Sequence, residues 1–185
     1  MGGVPADGGS ARRRQLLDAA YRYVLDHGLA DLSLRPLAAA IGSSPRVLLF
    51  LFGSKDGLIR ALLERSRADQ LEVLETLRAE GAGLAAVGTR LWDWLAAPEH
   101  RALLRLCLEA YTRSVAAGPD APWSGFAART VADWDALLAG HQERDDAAAR
   151  ALLLAVLRGA LLDLLATGDD ARLDAAVALH LATLP

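Results

Sequence analysis

Residues 33–58 read SLRPLAAAIGSSPRVLLFLFGSKDGL, and this stretch decides the fold. Ser33 is placed to cap a short helix with Leu34, Leu37, Ala38 and Ile41 inward at three- and four-residue spacing, and Gly42 stops it. Ser44 caps the next helix, with Pro45 at its first position, where a missing amide hydrogen and a fixed φ suit a helix. Only Gly42, Ser43 and Ser44 separate the two. Two short helices joined by a tight glycine-containing turn form a helix-turn-helix, whose second helix is the candidate to enter the major groove of DNA. Ser54 then caps a longer helix from Lys55 to about Ala79, opening its apolar face with Leu58, Ile59, Leu62 and Leu63.

Upstream, Ser10 is expected to cap a first helix whose apolar face is Leu16, Leu17, Ala20, Tyr23 and Val24, ending at Gly28 in a left-handed conformation. Residues 1–10, MGGVPADGGS, read as a disordered tail and lack the basic and apolar regions of a secretory signal. Downstream, Gly81–Gly83 breaks the chain, and helices over Leu84–Ala97 and Glu99–Ala117 are split at Pro98. A loop at Gly118–Pro122 precedes helices over Trp123–Arg144, Ala147–Thr167 and Asp170–Leu184, the last two divided at Gly168. Alanine and leucine abound, no stretch alternates with period two, and no hairpin signal occurs. The expectation is all-α, about nine helices: a helix-turn-helix domain over 11–56 and a helical bundle over 57–185.

Composition narrows the chemistry. One cysteine, Cys107, allows neither an internal disulfide nor a cysteine-based zinc site, which fits a reducing compartment and a cytoplasmic location. The four histidines show no HExxH spacing, and neither a G-x-S-x-G nor a phosphate-loop motif occurs. No catalytic residue, metal or cofactor is therefore expected. The longest apolar run, near Leu152–Leu165, is interrupted by Arg158 and Asp163, which makes it core or interface rather than a membrane span. The net charge of −3 divides unevenly: residues 1–60 carry +3 and residues 61–185 carry −6. A basic head on an acidic body is the pattern of a DNA-reading module attached to a separate partner domain.

From Arg12 to Leu63 the chain resembles the N-terminal domain of the tetracycline-repressor (TetR) family. The resemblance is carried by LLDAAYRYVLDHGLADLSLRPLAAAIGSSPRVLLFLFGSKDGLIRALL. It includes the paired Ala19 and Ala20 within the first helix and Gly28 at its end, Ser33 and Arg35 opening the second, and Leu37-Ala38 and Ile41-Gly42 before the turn. Its most specific part is Phe52, Ser54, Lys55, Asp56 and Leu58. One departure stands out. Where the family carries Leu-Tyr-x-His/Tyr-Phe, this chain has Leu48-Leu49-Phe50-Leu51-Phe52, so Leu49 and Leu51 replace two polar groups expected at DNA.

The resemblance implies a regulator that binds a palindromic DNA operator as a homodimer, most simply a repressor released by a small apolar or aromatic effector. A protein-interaction adaptor with weak or no DNA binding is the alternative, and Leu49 and Leu51 are its support. For DNA, Ser33 offers a hydroxyl at a helix N-terminus, and Arg35 lies in the following turn. Ser44, Pro45 and Arg46 form the leading end of the recognition helix, with Arg46 the candidate for guanine. Val47 and Leu49 are candidates for thymine methyls, and Phe50 either joins them or packs against the first helix. Lys55, the only lysine in the sequence, would meet a phosphate. Arg12, Arg13 and Arg14 form either a flexible arm toward DNA or a solubilising terminus.

In the body, Trp92, Cys107, Tyr111, Trp123, Phe126 and Trp134 fall where relatives bind effectors, and core packing is the competing role for each. Arg105, Glu109 and Arg113 read as a solvated i,i+4 charge ladder. The helix over Ala147–Thr167 is apolar around nearly its whole circumference, so more than one side must be covered. The expected dimer interface takes Leu153, Leu157, Gly159, Ala160, Leu161 and Leu164 from this helix and Leu173, Val177 and Leu181 from the last.

Overall fold

The computed structural model describes residues 6–29, 31–78, 83–142 and 144–184. Among these it shows nine α-helices and no strand. They are α1 (Ala6–His27), α2 (Leu34–Ala40), α3 (Pro45–Phe52), α4 (Lys55–Arg78), α5 (Gly83–Ala96), α6 (Arg101–Ala116), α7 (Phe126–Ala139), α8 (Ala147–Thr167) and α9 (Asp170–Leu181). A 3-10 turn over Pro98–His100 joins α5 to α6. No single helix among the described residues is long and apolar enough to cross a membrane.

Most ends follow from local chemistry. Ser44 stands in extended conformation before α3, and its hydroxyl accepts the Val47 amide at 3.3 Å, with Pro45 in the first turn. The Ser54 hydroxyl accepts the Gly57 amide at 2.9 Å and so opens α4 at Lys55. Asp146 caps α8 through the Ala149 amide at 2.9 Å, and Gly168 closes it with φ 69°.

Five expected ends move by more than one residue. Ser10 does not cap α1, because the helix already begins at Ala6 and Ser10 lies inside it. Nothing in residues 6–9 blocks the backbone, since glycine weakens a helix and only proline interrupts it. Residues 1–5 of the expected tail and residues 81–82 of the expected break lie outside the described residues. Pro98 holds Ala97 in an extended conformation (φ −59°, ψ 127°) and starts the 3-10 turn, so α6 opens at Arg101 rather than Glu99. Helix α7 begins at Phe126 rather than Trp123, because Gly125 turns with φ 72°. The Ser114 hydroxyl of α6 then accepts the Ala127 amide at 3.0 Å. Helix α7 ends at Ala139, before Gly140, and α9 ends at Leu181.

The described residues divide into two compact units. The first comprises residues 6–67 and 106–127. Its core contains Leu16, Ala20, Tyr21 and Val24 of α1, Leu37 and Ala38 of α2, Leu48 and Phe52 of α3, and Leu58, Ile59, Leu62 and Leu63 of α4. Tyr21 is buried and Tyr23 half-buried, so the aromatic of the α1 core is one the spacing did not select.

The second unit comprises residues 68–105 and 128–184. Here α5, α8 and α9 pack against one another, and Val87, Leu91, Leu95, Leu153, Leu157, Leu161, Leu173, Val177 and Leu181 are all buried. Gly88 lets the helices close up: a Cβ there would lie 2.6 Å from Leu181 Cδ2. The Trp92 indole N–H donates to Asp174 at 2.8 Å, so α5 and α9 are tied by a polar contact as well. Arg150, buried at the start of α8, donates to Asp135 of α7 at 2.8 Å, to Gln142 at 2.6 Å and to Asp145. These carboxylates, Asp135 first, push the guanidinium still further up from its ordinary pKa, so Arg150 fixes the α7–α8 connection as a permanent cation.

Candidate nucleic-acid interface

The geometry of the α2–α3 corner comes from a short run of backbone bonds. The Ile41 amide donates to Leu37 O at 3.1 Å, and the Ser43 amide to Ala38 O at 2.8 Å, which closes α2 and turns the chain into α3. Buried Leu37, Ala38, Leu48 and Phe52 hold the two helices to the core. At the other end of α3, a Cβ on Gly57 would collide with the Phe52 carbonyl oxygen. The close passage between α3 and α4 therefore requires glycine at this position.

With those side chains turned inward, the remainder of the corner faces solvent. Ser33, Arg35, Ser44, Arg46 and Lys55 are exposed and Pro45 is half-buried. Val47 is 37 % exposed, Leu49 42 % and Phe50 86 %. The last value decides between the two expected positions of Phe50, since it does not pack against α1. Ser33 stands in extended backbone before α2 without a capping bond from its side chain. None of Arg35, Arg46 and Lys55 forms an ion pair among the described residues. Residues 33–55 carry these three cations and no acid, in a chain of net charge −3. A Ser33 hydroxyl without a capping bond, unpaired cations and the exposed leading end of a helix are what phosphate seating and base-edge contact require.

Arg12, Arg13 and Arg14 do not form a flexible arm, because all three lie within α1. Arg12 donates to Gln15 at 2.8 Å. Arg13 donates to Leu51 O at 3.4 Å and stacks its guanidinium 4.9 Å from the Phe52 ring centroid, so it braces the end of α3.

The six aromatic and thiol candidates for an effector divide between the units. Cys107, Tyr111, Trp123 and Phe126 belong to the first, Trp92 and Trp134 to the second. Trp123 and Phe126 are buried, and Arg113 lies 5.0 Å above the Trp123 ring. Cys107 Sγ is 3.3 Å from Ser66 Oγ of α4. The expected charge ladder on α6 is not a solvated one. Glu109 accepts the Leu29 amide at 2.8 Å with one oxygen and Arg113 at 3.1 Å with the other. The carboxylate thus anchors the residue that follows the Gly28 end of α1. Eighty positions separate the partners, so no local spacing signals the contact.

Most of the expected dimer set faces inward. Leu153, Leu157, Leu161, Leu164, Leu173, Val177 and Leu181 are buried by their own unit, leaving Gly159 exposed and Ala160 half-buried. The large apolar side chains left outside are Leu152 at 56 % and Leu162 at 51 % on α8, and Leu179 at 74 % on α9. Among the described residues no group of three or more His, Cys, Asp or Glu side chains could hold a metal.

Comparison with known proteins agrees with this architecture. Residues 16–62 match the family model described as bacterial regulatory proteins, tetR family. The chain is 35 % identical over 184 residues to the HTH-type transcriptional repressor Rv1474c of Mycobacterium tuberculosis, covering 94 % of this chain and 92 % of that protein. It is 34 % identical over 70 residues to the HTH-type transcriptional regulator BetI 1 of Chromohalobacter salexigens, a match spanning 38 % of this chain and 35 % of that relative's length. Among solved structures, the multidrug binding protein EbrR complexed with ethidium superposes with a TM-score of 0.69 at 26 % identity, over 94 % of this chain and 99 % of that one. The helix-turn-helix, the helical body behind it and the near full-length relative together place the chain in the tetR family of bacterial regulatory proteins.

Proposed function

We propose that this protein is a cytoplasmic, ligand-released repressor that binds a palindromic operator as a homodimer and catalyses no reaction. The observation that carries the reading is the α2–α3 corner with the start of α4, where Arg35, Arg46 and Lys55 are exposed and form no ion pair among the described residues. Ser33, Ser44 and Lys55 take the phosphate backbone, and Arg46 at the leading turn of α3 reads a guanine edge. Two such heads address half-sites about one helical turn apart, which needs a two-fold assembly.

The assembly uses the outer stripe of α8 and α9, where Leu152, Gly159, Leu162 and Leu179 are exposed, in place of the buried leucines. The small Gly159 lets a second backbone approach closely. The effector is an apolar or aromatic compound, a reading supported by EbrR, whose solved complexes hold ethidium and malachite green. Cys107, Tyr111, Trp123 and Phe126 are its candidate contacts, all within the first unit. Release is a coupling between effector and operator affinities.

The test is a gel shift of the purified protein on the DNA flanking its own gene, at two salt concentrations, with the Arg46→Ala variant alongside. Retardation that weakens as salt rises and is lost in the variant supports the reading. An unchanged shift in the variant, or no shift at either salt, overturns it.

A further inference from the structure

Resting on that reading, we propose that α3 selects its operator chiefly through the 5-methyl groups of thymine, covered in the major groove by Val47, Leu49 and Phe50. Seven of the eight residues of α3 are apolar, and only Leu48 and Phe52 are buried. Val47, Leu49 and Phe50 face solvent at 37 %, 42 % and 86 %. Residues 46 and 50, 46 and 49, and 47 and 50 stand at three- or four-residue spacing, so Arg46 neighbours Leu49 and Phe50, and Val47 flanks Phe50 on its other side. An apolar patch with one cation in it needs a partner that is apolar in places and anionic around them.

Three cations and no acid between residues 33 and 55 make that partner a polyanion rather than an apolar protein face. Of the base edges in the major groove, only thymine carries an apolar group, its C5 methyl. Adenine is read by paired donors and acceptors, and α3 offers no asparagine or glutamine for the purpose. Arg46 is its one side chain able to hydrogen-bond a base, so hydrogen bonding from α3 reaches about one position per half-site. Bases next to the Arg46 contact are therefore distinguished by whether they bear a methyl.

The experiment uses the full chain and a site enriched from a random duplex library. Affinities are measured on the enriched duplex and on copies with deoxyuridine in place of thymine, one position at a time and then symmetrically in both half-sites. Losing one contacted methyl is expected to weaken binding about fourfold, equivalent to about 0.8 kcal/mol, and the symmetric pair about fifteenfold. In Phe50→Ala and Leu49→Ala the thymine and uracil duplexes are expected to bind alike at the affected position, with an unchanged melting temperature for Phe50→Ala. Equal affinity of the native protein for thymine and uracil duplexes overturns the proposal while leaving DNA binding intact. Uracil sensitivity that persists undiminished in these two variants and in Val47→Ala also overturns it, by assigning the methyl contact elsewhere. Enrichment of no duplex overturns this proposal and the operator-binding reading together.

Discussion

Helices α3 and α8 are both strongly apolar, yet they place their leucines differently. In α3 the first unit buries only Leu48 and Phe52 and leaves three large apolar side chains in water. In α8 the second unit buries Leu153, Leu154, Leu157, Leu161 and Leu164 and leaves Leu152 and Leu162 outside. A leucine contributes to the protomer's stability in proportion to the area its neighbours cover. The same residue type is thus a core element on one face of a helix and a binding element on the next.

Breaking the inward faces should have the largest effect. Leu157→Ala, at a site 2 % exposed, should destabilise the fold by about 2–5 kcal/mol in denaturant titration, and Leu48→Ala should do the same in the first unit. A loss below 1 kcal/mol at either site would mean that the stripe is not a close-packed core. Next comes Gly57→Ala, which drives a methyl into the Phe52 carbonyl and should cost about 1–3 kcal/mol, with reduced helical signal on melting. If its melting temperature equals the native value, the α3–α4 passage can widen to admit a methyl group. Glu109→Ala leaves the Leu29 amide without its carboxylate and should lower stability by about 1–2 kcal/mol. Hydrogen exchange at Leu29 should then quicken selectively; uniform behaviour would assign Glu109 to the surface.

The outward faces sharpen the comparison from the other side. Leu152→Ser with Leu162→Ser should change chemical stability at high dilution by under about 1 kcal/mol, yet shift sedimentation from dimer toward monomer. Sedimentation identical to the native protein would move the self-association surface elsewhere. Phe50→Ala should have the smallest effect on folding, within about 0.5 kcal/mol, because the ring is already in water.

What could be read from the sequence was local. Ser44-Pro45 opening α3, Ser54 opening α4 and Gly168 closing α8 are each decided within four residues, and each stands where expected. Ser10 misled because a cap signal carries no information unless the residues before it refuse the helix, and residues 6–9 do not. The inward stripe of α8 was hidden by its composition: with leucine all round, nothing in the spacing distinguishes core from surface. Phe50 was ambiguous for the same reason on a shorter helix. The roles of Glu109 and Arg150 depend on partners brought together by the fold, Leu29 far along the chain in one case and Asp135 on the preceding helix in the other.

Lys55 opens α4 at the solvent-facing edge of the helix-turn-helix, and it is the only lysine in the sequence. Amine-directed reagents therefore meet a single side chain, and it lies on the surface assigned to nucleic acid. A neutralising acyl group would remove one of the three cations there while leaving every arginine untouched. The protein thus carries a native labelling handle, and the rate at which that amine reacts, with and without DNA present, reports directly on whether the surface is covered.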